Sequence, residues 1–579
     1  MAGPVRSLGI AALVLSAVTA GVIVWLKPSP PPAGLSIRAR AQQPVIPGAE
    51  TASLSTRVIP SADLPPTGTR SLFDHLVAQN NGLPYPFEAL VSMIQRSGPP
   101  GSAPVAVMIP AGRSLLKAQA DFTHPRVLVA ADYQAPATPA NLGLHTRGQL
   151  FLGFVENARE IEVISYNEAA GRYEFQLVQD YAVDGQRRIV YARRAVCTTC
   201  HQGGTPIFPQ RPWSETNAQP DIAERIAAAR GDVPYLGVPV RQALSAPERF
   251  DELTDVGGFV TTTQRLWLDG CGESAPCRRL QLRLGLRYAR DPGAFDMAAP
   301  ELAALRELQR SHWPPNGIAV PESDLRNRDP LAEKRGLRGW LRSVFVAEPP
   351  PGAGAKTNED LAAFEQLPKL PPELDPLTLR APKRVLGADS VEAVYGIAAL
   401  FSADDLQRLE NAADQQWPRV DAAVDALPDT FFTPAAFSRV RTLQALLGSL
   451  APATSAGYCC LDVGEMSEPV AITAPAVTLA EDSPLQPFAR HCFSCHRGNP
   501  VARLNFMAGA DEAAVAENIR NKAEIRDALD WARYQGTDRQ SKLMPPSDSA
   551  EHARLQAELN NNPELLEQMR AQVPALFDF

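Results

Sequence analysis

Ile161-Glu162-Val163-Ile164-Ser165-Tyr166, a polar turn closing on Gly171, Tyr173-Glu174-Phe175-Gln176-Leu177, and then Arg188-Ile189-Val190-Tyr191-Ala192 form the stretch that decides the architecture. Ile161, Val163 and Ser165 alternate with Glu162, Ile164 and Tyr166. Tyr173, Phe175 and Leu177 alternate with Glu174 and Gln176. A period of two places alternate side chains on opposite faces of a strand, and Gly- and Asn-containing turns join such strands antiparallel. Gln149 to Val196 is therefore expected to be an antiparallel β-meander. It runs directly into a cysteine pair at positions 197 and 200.

Outward from the meander the chain changes character. On its N-terminal side, Leu8 to Leu26 is 19 residues without a charge, long enough for a membrane-spanning helix and longer than most signal-peptide cores. Residues 1–26 are expected to be an uncleaved anchor, with a signal cleaved near Ser16–Ala20 as the alternative. Arg6 precedes the segment while Lys27, Arg38 and Arg40 follow it, so positive charge alone does not orient it. Residues 27–70 form a Pro-rich tether. Residues 71–347 hold the meander, with a helical run near Phe87–Val91. Beyond Pro300 helices dominate, starting with a face of Leu302, Leu305 and Leu308. A second Pro-rich linker covers 348–383, and residues 384–480 read as a helical middle. There Ser402 and Asp405 resemble a capping box, and Thr433-Pro434 opens a helix carrying Phe437, Val440, Leu443 and Leu447. A last unit spans 481–579.

Composition narrows the function. Of 579 residues 45% are hydrophobic and 21% charged, which is globular. The net charge of −8 provides no basic surplus for neutralising phosphates, so nucleic-acid binding is not expected.

Four of the eight cysteines fall in two identical patterns, Cys197-Thr198-Thr199-Cys200-His201 and Cys492-Phe493-Ser494-Cys495-His496. On a helical turn, residues i and i+3 share a face, so two thiols reach the two vinyl groups of one porphyrin while the next imidazole meets the iron. A thioredoxin-like dithiol does not call for the following histidine twice, and a zinc site built from two such distant pairs leaves both histidines unexplained. The pattern resembles c-type cytochromes. That resemblance implies two covalently bound haem c groups, held by Cys197, Cys200, Cys492 and Cys495, with His201 and His496 as iron ligands. It also implies assembly on the outer side of a bacterial inner membrane, and hence a periplasmic body, either anchored or exported after signal cleavage.

The last hundred residues resemble a class I cytochrome c domain. Ser483 to Arg490 leads into the second motif, Glu512 to Arg533 reads as one amphipathic helix ending near Gly536, and Glu564 to Gln572 as another. In that family a Met-Pro loop supplies the sixth ligand, which implies Met544 of Lys542-Leu543-Met544-Pro545-Pro546; Met507 is the rival. The first haem has no such loop. Its candidates are Met108, Met297, His75, His124, His145 and His312. The remaining Cys271, Cys277, Cys459 and Cys460 are expected in disulfides, with three pairings open.

The expected fold class is thus multidomain α+β: a membrane anchor, a mixed region whose meander carries the first haem, a helical middle and an all-α class I cytochrome c-like C-terminal domain. The expected function is electron transfer by a membrane-tethered periplasmic dihaem c-type cytochrome serving periplasmic redox partner proteins. The alternative is a dihaem peroxidase or oxygenase with an open first haem, and a haem sensor is a third reading.

Overall fold

The meander exists and extends further toward the N terminus than its sequence pattern. The structure, a computed structural model, describes residues 64–110, 120–329 (except 136, 139, 193 and 199), 376, 380–452 (except 434), 457–458, 463–466, 479–496, 506–507, 509, 511–537 (except 523), 540, 543–546 and 550–573. Six strands form one sheet in sequence order: β1 (Val105–Ile109), β2 (Arg126–Ala130), β3 (Leu150–Val155), β4 (Glu160–Asn167), β5 (Arg172–Gln179) and β6 (Arg188–Tyr191). Every neighbouring pair is antiparallel, and Gly153, Glu162, Leu177 and Val190 stand in one row across four strands.

Both faces of the sheet are covered. On one, Val127, Val129, Leu152, Phe154, Ile161, Val163 and Val178 pack against α1 (Leu72–Gln79), α2 (Phe87–Arg96) and α3 (Pro220–Arg230). On the other, Leu128, Ala130 and Phe151 meet Phe250 and Leu253 of the long α4 (Ser245–Leu268). Double coverage buries polar strand residues too, and these must find partners. Gln176 donates to Asp74 at 2.8 Å and accepts from Ser71 at 2.7 Å, while Glu174 accepts from Arg172 at 2.8 Å.

The region following α4 continues the same body. α5 (Ala275–Arg290) packs on α7 (Glu392–Ala399), and α6 (Pro300–Arg310) lies against α5 through Leu302 and Leu305. Neither Gly285 nor Gly396 has room for a side chain at these contacts. A Cβ on Gly285 would stand 2.6 Å from Ile397, and one on Gly396 2.5 Å from Thr263 of α4. Ser402 caps α8 (Ala403–Ala412) with the reciprocal Asp405 bond anticipated from the sequence. α9 (Trp417–Asp425) and α10 (Arg439–Leu450) complete a core with Trp267, Leu282 and Phe432. The expected helix start at Thr433-Pro434 is displaced: Ser438 caps α10, and Phe437 lies before it. Ile318–Val320 pairs antiparallel with Arg384–Leu386, which brings the two sides of the Pro-rich linker together.

Two parts of the expected organisation are overturned. The helical middle is not a region apart, because α7 is built into α4 and α5. A class I cytochrome c fold is not shown: the described part of residues 481–579 carries helices alone, but not in the expected arrangement, within an architecture that is mixed α/β overall. The span 512–533, read as one helix, is three: Glu512–Arg520 (α12, after α11 at Gln486–His491), Glu524–Ala528 and Trp531–Tyr534. Asn521 closes the first, and the Asp530 carboxylate accepts from the Arg533 amide at 3.2 Å to start the third, so polar caps interrupt the apolar periodicity. No membrane anchor is shown either. Leu8–Leu26 lies outside the described residues, and among those described no helix is long and apolar enough to cross a membrane. The C-terminal helices, including α13 (Ala550–Leu559) and α14 (Leu565–Ala571), enclose a separate core of Phe488, Met507, Val515, Ile519, Trp531, Leu555 and Met569.

Candidate functional site: two cysteine–histidine turns

The two motifs fold alike. In the first, the amides of Cys200 and His201 donate to the Cys197 carbonyl at 3.2 and 2.9 Å. In the second, those of Cys495 and His496 donate to the Cys492 carbonyl at 3.2 and 2.9 Å. Each motif is therefore one helical turn, which sets both cysteines of the pair on a common side. The first turn continues from β6 through Arg194–Cys197, and the second from α11, where the Cys492 amide donates to Phe488 at 2.8 Å. No disulfide links these four cysteines to one another or to Cys271 and Cys277. Among the described residues no three His, Cys, Asp or Glu side chains converge as a ready-made site for a bare metal ion.

His201 is held in one tautomer. Its Nδ1 lies 3.0 Å from the Thr205 carbonyl, and a carbonyl only accepts, so Nδ1 carries the proton and Nε2 the lone pair. The chain reverses between them through Gly203 and Gly204 at φ +77° and +70°, a conformation that side chains disfavour. Burial pushes the imidazole down to about 4; the Thr205 bond opposes this, and the Arg380 and Arg126 charges add to it. The ring is thus neutral at pH 7, as an iron ligand must be. It packs on Phe175 of β5 at 5.3 Å between centroids, while the Arg194 guanidinium lies 5.7 Å from that Phe175 ring.

The loop after His201 is seated on α4. A Cβ on Gly257 would lie 2.9 Å from Pro206 and 3.0 Å from the Tyr173 hydroxyl, so glycine is what lets Thr205-Pro206 lie against the helix. Arg380, near the C-terminal end of the Pro-rich linker, holds the other side. It donates from Nη2 to the Cys200 carbonyl at 2.8 Å, from Nη1 to Pro376 at 3.0 Å and from Nε to Glu322 at 3.2 Å, and its amide donates to the Gln202 side chain at 3.0 Å.

At the second motif, Phe506 lies 4.3 Å from the His496 ring, and the Met507 amide donates to the His496 carbonyl at 2.9 Å. Burial, with Cys495 adding, pushes the Cys492 thiol up to about 12, which does not suit a reactive redox dithiol. The Met544 loop is pinned by its backbone: the amide donates to Ala528 at 3.0 Å and the carbonyl accepts from the Trp531 indole at 3.1 Å. Trp531 stacks on His552 at 4.2 Å, and His552 donates to the Pro545 carbonyl at 2.9 Å. Met507 is fully buried, Met544 partly so.

The six candidates for the first sixth ligand are scattered. Met108 lies on the sheet face that packs on α1 and α2, opposite Phe175, and His75 is buried within α1. The Met297 sulfur is exposed and accepts from Tyr395 at 3.5 Å. His145 lies 3.3 Å from Gln149, His124 is 3.6 Å from Asp121, and His312 is exposed against Gly272. Of the remaining cysteines, Cys271 and Cys277 are joined, with an S–S distance of 2.00 Å. Cys459 and Cys460 lie outside the described residues. Thr205, Gly257, Phe175 and Arg380 had no local sequence signal as neighbours of His201.

The chain matches no protein-family model, no curated protein and no solved structure.

Proposed function

We propose that this chain is a periplasmic dihaem c-type cytochrome that transfers electrons. The observation that carries this reading is the His201 tautomer within a Cys-x-x-Cys-His turn: a neutral imidazole with Nδ1 bound to the Thr205 carbonyl and Nε2 left for iron. The donor set at each motif, two thiols on one turn and the next imidazole, fits a covalently attached haem. Cys197 and Cys200 would hold the first group with His201, and Cys492 and Cys495 the second with His496. Met544, in its pinned loop, is the proposed sixth ligand of the second iron. Bound haem would supply a one-electron couple.

This chain's own residues orient that couple. The Thr205 carbonyl fixes the ring plane of His201, and Phe175 covers one side of it. Arg380 and Gly257 keep the loop in place, so the ligand geometry need not change as charge moves. The Cys271–Cys277 disulfide supports an oxidising compartment.

The test is haem analysis of the purified chain. Retention of two haems per chain through acid–acetone extraction is the expected result, with half lost in Cys492→Ala/Cys495→Ala. A full haem count in that double variant would sink the reading. Slow reaction of the half-reduced protein with hydrogen peroxide in stopped-flow mixing is expected of an electron carrier. Rapid turnover with a small electron donor would instead make the chain a peroxidase.

A further inference from the structure

Two side chains on the sheet face that carries His201 are buried with polar atoms left over. Ile164 stands opposite Phe175, Glu162 opposite Leu177 and Ile161 opposite Val178, so Glu160 and Gln179 come side by side at the far end of the Phe175 face. Glu160 is 4% exposed and Gln179 3%. The Glu160 Oε1 and the Gln179 Nε2 have no hydrogen-bond partner among the described residues. A carboxyl buried in this way settles as the neutral acid until a positive charge or a donor favours the carboxylate. Resting on the proposed haem attachment, we propose that Glu160 takes up a proton from solvent as the first haem is reduced and returns it on oxidation, so that the first site moves a proton with its electron.

The surroundings serve both forms of this acid. Val155 stands opposite Glu160 and clusters with Ala120 and Ala158, and burial, with Glu162 adding, raises Glu160 to about 8. Glu162 pairs with Arg126 of β2, Gln179 of β5 accepts from Arg188 of β6 at 3.1 Å, and Arg159, the preceding residue, is bound to Asp180 and Asp184. The Gln179 amide is a donor at hand for the carboxylate. Gln179 lies four residues along β5 from Phe175, on which His201 packs, or about 14 Å at the usual rise. Salt screens buried charges little at that range. Oxidised iron carries one positive charge more than reduced iron, so it favours the carboxylate, and reduction favours the acid. The electron comes from a one-electron donor protein and the proton from solvent, and one O–H bond forms on Glu160.

The experiment is a redox titration of the full-length protein from pH 5 to pH 9, followed in the haem absorption bands, for wild type and Glu160→Gln. The first haem component is the one that vanishes in Cys197→Ala/Cys200→Ala. The expected result is a first midpoint potential that falls as pH rises in wild type and falls less steeply in Glu160→Gln, with one pH profile for the second haem in both proteins. Equal slopes for the first haem in the two proteins overturn the proposal, as does a level wild-type profile. Infrared difference spectra add a direct readout: reduction of the first haem is expected to bring up a protonated-carboxyl band in wild type that Glu160→Gln lacks, and the same band in both overturns the assignment. Should Glu160→Gln not fold, Glu160→Asp takes its place. It is expected to move the band and the pH range of the slope, and an unmoved band and range overturn the proposal. Absence of covalent haem from the wild type is a different result, because it overturns the functional reading itself.

Discussion

His201 shows how much a single hydrogen bond can decide. Its motif was legible, but the tautomer depends on Thr205, whose carbonyl comes within 3.0 Å only because two glycines reverse the chain. At the second motif the same scale separates two methionines. Met507 is fully buried in an apolar core and bonded through its amide to His496, whereas Met544 sits in a loop held by Trp531 and His552. Met544→Ala is therefore expected to lower the second potential and open that iron to carbon monoxide, with Met507→Ala costing mainly stability, about 2–5 kcal/mol. Carbon monoxide difference spectra and urea titrations of both variants check this. Glu160 is a different kind of residue. It is 4% exposed, one of its carboxylate oxygens has no hydrogen-bond partner, and burial, with Glu162 adding, raises it to about 8. The unfolded chain releases this proton near the usual carboxylate value, so stability falls as pH rises from about 4.5 to about 8 and levels off above. Glu160→Gln is expected to remove that part of the slope, on the order of a few kcal/mol. Urea midpoints at pH 5 and pH 8 measure it, and parallel pH profiles for the two proteins would contradict it.

Among the elements, β4, β5 and β6 keep their alternation, and on β5 the polar members Glu174 and Gln176 are buried because they find partners on the covered faces. β1 and β2 carry little alternation because both faces are covered, and a continuous apolar run does not announce a strand. Helix ends with polar caps were readable, as Ser402 and Asp405 demonstrate. Ser402→Ala is expected to cost about 1 kcal/mol, measurable by thermal or urea unfolding. The apolar run at 512–533 misled for the converse reason: periodicity continues through Asn521 and Asp530, but the first helix ends at Asn521, whose amide bonds the last turn, and the Asp530 carboxylate starts the third. α4 supplies the element-scale test of the first site. Gly257→Ala is expected to press on Pro206 and the Tyr173 hydroxyl, lowering stability by about 1–3 kcal/mol and loosening the loop that orients His201. A broadened first-haem spectrum with an unaltered second would be its signature.

For the whole molecule, the sheet acts as the base on which the first motif is built. β6 delivers Cys197, β5 offers Phe175 to His201, α4 supports Thr205-Pro206, and Arg380 arrives from the end of the linker. The second motif instead sits within its own core of short helices. The Cys271–Cys277 bridge closes a short loop between α4 and α5. Removing it as Cys271→Ala/Cys277→Ala is expected to cost about 2 kcal/mol by the loop-closure argument, read as a drop in urea midpoint without loss of either haem.

Local sequence sufficed for the helical-turn geometry of each Cys-x-x-Cys-His motif, on which the proposed haem attachment rests, because it depends only on spacing within one turn. It also determined the strands of the meander and the capped helices, whose causes are local periodicity and side-chain-to-backbone bonds. Tertiary structure alone decided the Cys271–Cys277 pairing, the merging of the helical middle with the sheet region, and the breaks in the 512–533 span. It alone decided which residues surround His201 as well. Gln202 and Arg380 are 178 residues apart, and Cys200 and Arg380 180. Contacts of that separation depend on how packed elements meet, which no local window of sequence encodes.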